Sequence, residues 1–586
     1  MIYFTFTEAD NRYIFLKIDY IDGKPNNDDL KIMRELMNHI NLVDPICYLP
    51  TYKGRPPFTH DFLFEYTQPG GSKIWYCPIG LWQVIYSFLK EKNYPFTGLL
   101  ENKDIFKIKL KHSFEEFKNI VNSWGLKYKP RPYQYECAYK ILQYKQSVSQ
   151  LATRAGKTLL SYIIFRYALE YLNAHKILMI VPSIQLVKQG YDDFCEYAEF
   201  FKTECLWAGG KLVESSNLTI GTFQTLIKFL DKKSKKFNPS FFEDFDIVCV
   251  DETHRATAEQ IRRIITQPFM KDVKIAFGIT GTLPKPKTIP YYCLHSLLGP
   301  KIQEIRPKEL MDAGYISKVH IKQLRLNYKN KDKLNDITIK CLEYALGEYI
   351  FEDDPKNKNR KKKIELDNPE FLIRYKKEIP YGIEVMKNAL TQGNISKEQY
   401  INTLVKTLKG NDTSNMLFVE RMITHFMSER VDYLCDNILP KCDNNTLILA
   451  HHTEYINYIV EIIKQKFPNR HIDVITGRVS AKRRDQIKQM LKDNKDCILI
   501  ASYGCIGTGI TLSDLCYGVL FESFKSEIIN MQSIGRGLGL SDMKEEYTLY
   551  DMIDIYPTKK LYLQGREKVK IYEEEKYPYE IINISL

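Results

Sequence analysis

The chain has 586 residues, 44% of them apolar and 27% charged, so it is long enough for several separate cores and too apolar for bulk disorder. Its 84 basic against 72 acidic side chains leave a formal charge of +12, which suits a polyanionic partner without requiring one. Thirteen cysteines run from Cys47 to Cys516 with no C-x-x-C pair, which argues against zinc ribbons and dithiol redox sites and for reduced thiols. Met1 leads into Tyr3, Phe4 and Phe6 without the basic-then-apolar order of a secretory signal. No apolar run nears the ~18 to 20 residues that cross a bilayer. The expectation is a cytoplasmic protein, in the host cytoplasm if the source is viral, with no membrane partner.

From residue 1 to 125 short strand-like runs (Tyr13 to Ile18, Phe62 to Tyr66) mix with a helical pattern at Ile79 to Leu89 and turn signals such as Pro69-Gly70-Gly71. This predicts a small α+β accessory domain. From 126 to 326 short apolar runs alternate with amphipathic helices: Ile177 to Val181, Leu218 to Gly221, Ile247 to Val250 and Ile275 to Ile279 read as buried parallel strands. The stretch 327–413 is charged and helical in pattern, and reads as an insertion or linker. It contains Lys356, Lys358, Arg360, Lys361, Lys362 and Lys363, a solvated loop or a grip on phosphate backbone. Alternation resumes over 414–556, at Leu447 to Ala450, Val474 to Ile475, Cys497 to Ala501 and Gly518 to Phe521, and 557–586 reads as a helical tail. Two doubly wound α/β layers in tandem follow from this rhythm.

Ala155-Gly156-Lys157-Thr158 has the make-up of a phosphate loop, with Gly156 bare against phosphate, Lys157 a point charge for the β- and γ-phosphates, and Thr158 a hydroxyl for Mg²⁺. About a hundred residues on, the apolar run Ile247 to Val250 ends in Asp251, Glu252, Thr253 and His254. One carboxylate there can hold Mg²⁺, Asp251, and its neighbour Glu252 can orient or deprotonate a water. Upstream, Lys129-Pro130-Arg131-Pro132-Tyr133-Gln134 opens a helix, and the Gln134 amide offers a donor and an acceptor suited to adenine.

With Gln134, Gly156-Lys157-Thr158 and Asp251-Glu252-Thr253-His254 in this order, the chain resembles the superfamily 2 helicases. The resemblance implies two tandem RecA-like parallel-sheet domains, flanked by the α+β N-terminal domain and the helical insertion. It also implies ATP and Mg²⁺ as cofactors, held by Arg131, Gln134, Thr153, Arg154, Ala155, Gly156, Lys157, Thr158 and Gly509, with Thr158 and Asp251 on the metal. Pro182, Ser183 and Gln189, then Thr222 and Gln224, look like loops laid along one nucleic-acid strand, as do Ser502, Tyr503 and Thr508 in the second domain. Thr280 and Thr282 resemble the hydroxyl motif tied to domain closure; with His254 and Gln532 they are implied to couple the domains. Gln532-Ser533-Ile534-Gly535-Arg536 looks like the sixth motif, with Arg536 stabilising charge on the γ-phosphoryl group.

The texture is most similar to phage UvsW-type recombination helicases, on Phe277 to Leu283, on Ile498 to Gly504 with Thr508-Gly509-Ile510, and on Val474 to Gly477 followed by Arg483 and Arg484. Roughly Lys127 to Leu326 and Ser414 to Leu586 share it. Two departures stand out: Arg154 fills a place usually held by a small residue, and Gly539 replaces the second arginine of the sixth motif. The expected activity is an ATP-dependent DNA helicase or translocase on single-stranded, duplex or branched DNA. The alternatives are an RNA helicase or transcription-associated translocase, and a non-catalytic nucleic-acid-binding scaffold. Among blander readings, His451-His452 are a loop pair, Trp75, Trp82 and Trp124 are core, and Phe229 to Phe245 is either a strand-separating hairpin or a surface loop.

Overall fold

The computed structural model describes residues 2–586 except 10–12, 21–26, 44–58, 68–72, 98–107, 199, 202, 206–216, 254–257, 266–272, 347–380, 412–413, 478, 480, 507–513, 523–529, 531–532, 536 and 543. It divides into two compact units, Met1–Arg306 and Pro307–Leu586.

In the first unit, strands β1 (Ile2–Ala9), β2 (Tyr13–Tyr20), β5 (Phe64–Thr67), β6 (Lys73–Pro78) and β7 (Phe96–Thr97) form a sheet in the order β5-β6-β2-β1-β7, while β3 (Leu42–Val43) and β4 (Thr59–His60) pair apart from it. The helices Asn27–Ile40 and Trp82–Glu91 bring Ile32, Met33, Leu36, Ile85 and Leu89 into one core with Trp75 and Cys77. Tyr292, from the helix Ile289–Leu298 of the neighbouring layer, is buried in that same core, so this α+β part is docked onto the layer that follows. Trp75 and Trp124 are buried and Trp82 packs against the core, which makes all three structural.

The neighbouring layer is a seven-stranded sheet, all parallel, built from β8 (Gln146–Leu151), β9 (Ile177–Val181), β10 (Thr203–Cys205), β11 (Leu218–Thr222), β12 (Ile247–Asp251), β13 (Ile275–Thr280) and β14 (Lys301–Ile305) in the order β10-β11-β9-β12-β13-β8-β14. β9 is buried at every residue, and its unbroken Ile-Leu-Met-Ile-Val run is what a strand covered on both faces needs. β8 has no such run; its Ser147 and Ser149 are buried nonetheless, and hydropathy alone passes it over. Within Phe229 to Phe245, Phe229 and Leu230 end the helix Phe223–Leu230 and the rest is a loop with a short turn of 3₁₀ helix at Pro239–Phe242, pinned by buried Phe242 and Phe245; it is not a hairpin.

The second unit holds another seven-stranded parallel sheet: β15 (Lys318–Asn327), β16 (Thr446–Ala450), β17 (His471–Ile475), β18 (Cys497–Ser502), β19 (Tyr517–Leu520), β20 (Glu546–Asp554) and β21 (Tyr579–Ser585), in the order β17-β18-β16-β19-β20-β15-β21. The two layers are the tandem RecA-like sheets expected from the sequence.

Three details differ from the sequence reading. β15, taken there as the end of the first layer, lies between β20 and β21 of the second, and Gln323 fixes it there by donating to Asp551 at 3.1 Å and to the Gly565 carbonyl at 3.0 Å. The tail is helical only over Lys560–Glu574; beyond it, the β-branched and aromatic run Tyr579–Ser585 adds an edge strand. The helices Lys331–Leu346 and Lys397–Asn411, from the stretch read as insertion or linker, pack Leu334, Leu342, Tyr400 and Leu404 into one core with Ile448, Ile500, Val519 and Met552 of the sheet. They are part of the second unit's interior, because their apolar faces have no other surface to bury against. The basic run Lys356 to Lys363 lies outside the described residues.

Candidate nucleotide and nucleic-acid sites

β8 delivers the chain to the phosphate loop, and the helix Lys157–Tyr171 begins as the loop ends, so backbone N–H groups gather where an anion is favoured. The loop is held from behind. Arg131 Nη1 donates to the Arg154 carbonyl at 3.1 Å, the Tyr133 hydroxyl to the Ala155 carbonyl at 2.7 Å, and Gln134 Nε2 to the Gly156 carbonyl at 3.0 Å. Three successive carbonyls are thus tied to the N-terminus of the helix Pro132–Leu142. The Gln134 oxygen accepts from its own Arg131 N–H at 2.8 Å, so both ends of this buried amide are engaged by backbone. Tyr133, read from sequence only as an aromatic neighbour of Gln134, proves to be a hydrogen-bonding part of this clamp. Gly156 has φ of 72°, and a Cβ there would stand 2.5 Å from Gln134 Nε2, so both its conformation and its close neighbour call for glycine.

β12 ends by presenting Asp251 and Glu252 at the C-terminal edge of the sheet, where open α/β layers place their ligands. Lys157 Nζ meets Glu252 Oε1 at 2.9 Å. Glu252 sits at φ of 48°, and its N–H donates to Asp251 Oδ1 at 2.9 Å. Burial, reinforced by the Glu252 charge and opposed by Lys157, pushes the Asp251 carboxyl up to about 7. Two adjacent carboxylates therefore share one ammonium. That donor set fits Mg²⁺, which takes one or two protein carboxylates and completes its shell with phosphate and water. Among the described residues no group of three or more His, Cys, Asp or Glu forms a ready-made metal cage.

Thr153 and Lys157 converge from the other side of the loop on Gly281, where a Cβ would lie 3.6 Å from Lys157 Nζ and 3.7 Å from Thr153 Oγ1. Flanking it, buried Thr280 donates to the Thr282 carbonyl at 2.8 Å, so this motif is braced beside the phosphate loop. Gly278, on β13 beneath it, leaves room for Thr253: a Cβ would come within 2.7 Å of Thr253 Cγ2.

Of the expected nucleic-acid contacts in the first unit, Pro182, Ser183 and Gln189 are half-buried and Gln224 is exposed. Ser183 caps the helix Ile184–Tyr197. Thr222 is a correction: it is buried, and its hydroxyl caps the helix Phe223–Leu230 by accepting from the Thr225 N–H at 3.3 Å. A cap is what a hydroxyl between a strand and a helix does best. Burial raises Asp193 to about 6, against hydrogen bonding from Gln189 and Thr158, so a residue expected on the nucleic acid and one expected on the metal face the same carboxyl.

In the second unit Ser502 ends β18 half-buried, but Tyr503 is only 3% exposed and its hydroxyl donates to the Glu522 carbonyl at 2.6 Å. Its side chain belongs to the core, a second correction, because the chain turns inward as soon as the strand ends. The pair His451 and His452 is joined there by two residues that sequence spacing did not connect. His425 Nε2 lies 3.2 Å from Glu522 Oε1, and Glu522 also accepts from the His451 N–H. His254, Thr508, Gly509, Gln532 and Arg536 lie outside the described residues.

Residues 127–285 match the family described as the type III restriction enzyme res subunit, and residues 429–538 match the helicase conserved C-terminal domain. The chain is 24% identical over 487 residues to the ATP-dependent DNA helicase uvsW of Enterobacteria phage T4, covering 80% of this chain and 79% of that protein. A shorter similarity, 24% over 149 residues, covers 24% of this chain and 22% of the mouse ATP-dependent RNA helicase DHX58. The crystal structure of T4 UvsW aligns over 100% of this chain and 99% of its own at 20% identity, with a TM-score of 0.40. No helix among the described residues is long and apolar enough to cross a membrane. Matched in both halves to helicase-type domains and carrying their motifs in order, the chain belongs to the superfamily 2 helicases, the nucleic-acid-dependent ATPases.

Proposed function

We propose that the chain hydrolyses ATP with Mg²⁺ to move along, unwind or remodel DNA, with branched or duplex DNA as its substrate. The single observation that carries this is the contact of Lys157 with Glu252 beside Asp251, at the edge where the phosphate loop meets β12. The loop N–H groups and Lys157 bind the triphosphate, and Asp251 and Thr158 would hold Mg²⁺, which when bound would supply positive charge against the phosphates. As phosphate draws Lys157 away, Glu252 is released to orient the attacking water and take its proton. Gln134, whose amide is engaged by backbone at both ends and so is not open to adenine as expected, contributes by fixing the loop, and Arg536 by meeting the charge that develops on the γ-phosphoryl group. Thr280 and Thr282, flanking Gly281 beside the loop, pass the nucleotide state onward; their nearness to Lys157 and Thr153 supports this role.

DNA is favoured over RNA by the extent of similarity to the phage DNA helicase, 487 residues against the 149 shared with the RNA helicase. Strand contacts should fall mostly on phosphate, so binding is largely independent of sequence and weakens as salt rises. The test is ATP turnover measured with single-stranded DNA, branched DNA and RNA at one salt concentration. Stimulation by DNA, strongest with branched DNA, is expected; stimulation by RNA alone overturns the assignment of substrate.

A further inference from the structure

The helix Phe223–Leu230 starts at Thr222, on the C-terminal edge of the first unit's parallel sheet, and runs into a closed loop, Asp231 to Asn238. The Asn238 N–H donates to the Phe229 carbonyl at 2.9 Å and shuts the base of this loop, where the Phe229 and Phe241 rings stand 4.9 Å apart. Inside it, the Ser234 N–H donates to the Asp231 carbonyl at 2.8 Å and the Phe237 N–H to the Ser234 carbonyl at 3.1 Å. The Asp231 and Ser234 side chains accept from the Lys233 and Lys236 N–H groups at 2.9 and 3.1 Å. The loop thus has a defined shape, and no lysine side chain takes part in holding it.

Four lysines stand on it, Lys232, Lys233, Lys235 and Lys236, all exposed, with Asp231 as the loop's one carboxylate. Among the described residues none of the four forms an ion pair. Of the carboxylates on the way to β12, Asp244 is taken by Lys176 and Asp246 by Lys274, each at 3.0 Å. Like charges crowded on one short loop repel one another and add nothing to the fold, so their use lies with an anion from outside. Position decides which anion. β9, β11 and β12 are parallel, so Ser183 and Gln224 follow strand ends on the same edge as Asp251, while the lysine loop precedes Ile247 at the opposite end of β12. The five residues of β12 set the two edges roughly 16 Å apart. A single strand laid along the first edge leaves the loop uncovered. A duplex arm brings further phosphates, one charge per ~1.7 Å of its axis.

We infer that the loop Asp231 to Asn238 is a second nucleic-acid contact, whose Lys232, Lys233, Lys235 and Lys236 bind the phosphate backbone of a duplex arm of the DNA. The inference rests on the DNA substrate proposed above and adds to it a contact outside the strand-tracking edge. Each ammonium that settles on a phosphate releases condensed counterions, so the loop contributes affinity and salt dependence and carries no sequence information. The chemistry at Lys157 and Glu252 lies at the other edge of the sheet and is left as it is.

The experiment compares the full chain with a fourfold variant, Lys232→Ala, Lys233→Ala, Lys235→Ala and Lys236→Ala, and with its counterpart carrying Arg at the same four places. Equilibrium binding of a forked DNA with a duplex arm, and of its single-stranded tail alone, is followed over a salt series beside ATP turnover. The alanine variant should bind the fork about 10-fold or more weakly, and the slope of log affinity against log salt should shrink by about 2 to 4, near 0.9 for each lost contact. Its affinity for the tail should stay within about threefold of the parent, because the strand-tracking edge is intact. Turnover without DNA, kcat at saturating fork and melting temperature should match the parent, since the four side chains are exposed and hold nothing. The arginine variant should bind the fork as the parent does. Parental fork affinity and slope in the alanine variant overturn the inference. So does an equal loss on the tail, which puts the lysines on single strand, and so does a loss that the arginine variant shares. If the unaltered chain neither binds DNA nor turns over ATP faster with it, the failure is that of the proposed substrate; if it does both and the alanine variant equals it, only the role of the loop fails.

Discussion

Lys157 and Glu252, 95 residues apart in the chain, meet at 2.9 Å. In the proposed mechanism the cation that binds phosphate thus rests on the group that handles water, and nucleotide would displace one from the other before hydrolysis. Glu252→Gln keeps the shape of this contact and removes the proton acceptor. It should bind Mg·ATP about as well as the parent yet turn over ~10² to 10⁴ times more slowly. Single-turnover hydrolysis beside equilibrium nucleotide binding checks this, and parental single-turnover rates would dismiss Glu252 as the base.

Tyr133 supplies one of the three bonds that pin the loop, to the Ala155 carbonyl at 2.7 Å. Tyr133→Phe should cost about 1 kcal/mol of stability, the net worth of such a bond. KM for ATP should rise several-fold as the loop loosens. Denaturant unfolding and steady-state kinetics measure the two effects; an unchanged KM would show that Arg131 and Gln134 hold the loop unaided.

Gly278 lies under the Asp251 edge, and an added methyl would stand 2.7 Å from Thr253 Cγ2 and 3.0 Å from Leu298 Cδ1. Gly278→Ala should destabilise the first unit by about 1 to 3 kcal/mol through overpacking. It should also slow ATP turnover, because Thr253 follows Glu252 and must move. Calorimetry and ATP turnover on the same preparation provide the check.

Burial pushes the Glu522 carboxyl up, but hydrogen bonding and charge from His425, with the His451 N–H and His452, outweigh it and hold the group down to about 2. A carboxyl lowered in the fold contributes stability that is present above its ordinary value of 4.5 and lost as pH falls from there toward 2. The contribution is roughly 3 kcal/mol. Glu522→Gln should be destabilised near neutral pH and should show a flatter loss of stability between about pH 5 and 2. Parallel acid-unfolding curves for variant and parent would remove Glu522 from the account.

The phosphate loop, the Asp251-Glu252 edge and most of the parallel strands were legible in the sequence because each is local. Gly156-Lys157-Thr158 and Ile247 to Asp251 carry their chemistry within a few residues, and strands buried on both faces write themselves as apolar runs. What the chain alone could not disclose depends on partners distant along it. β15 reads equally well as the end of one layer or a member of the next, and its pairing with β20 and β21, more than two hundred residues on, decides the matter. Tyr503 and Thr222 look like surface contacts in a motif; burial turns the first into core and the second into a cap. The bonds from Arg131, Tyr133 and Gln134 to the loop and the meeting of Lys157 with Glu252 in the first unit, and the His425 contact with Glu522 in the second, exist only because each unit packs together helices and strand ends far apart in the sequence. Periodicity records which face of an element is apolar, whereas hydrogen bonds and charge pairs between elements are settled by the packing of those faces against each other.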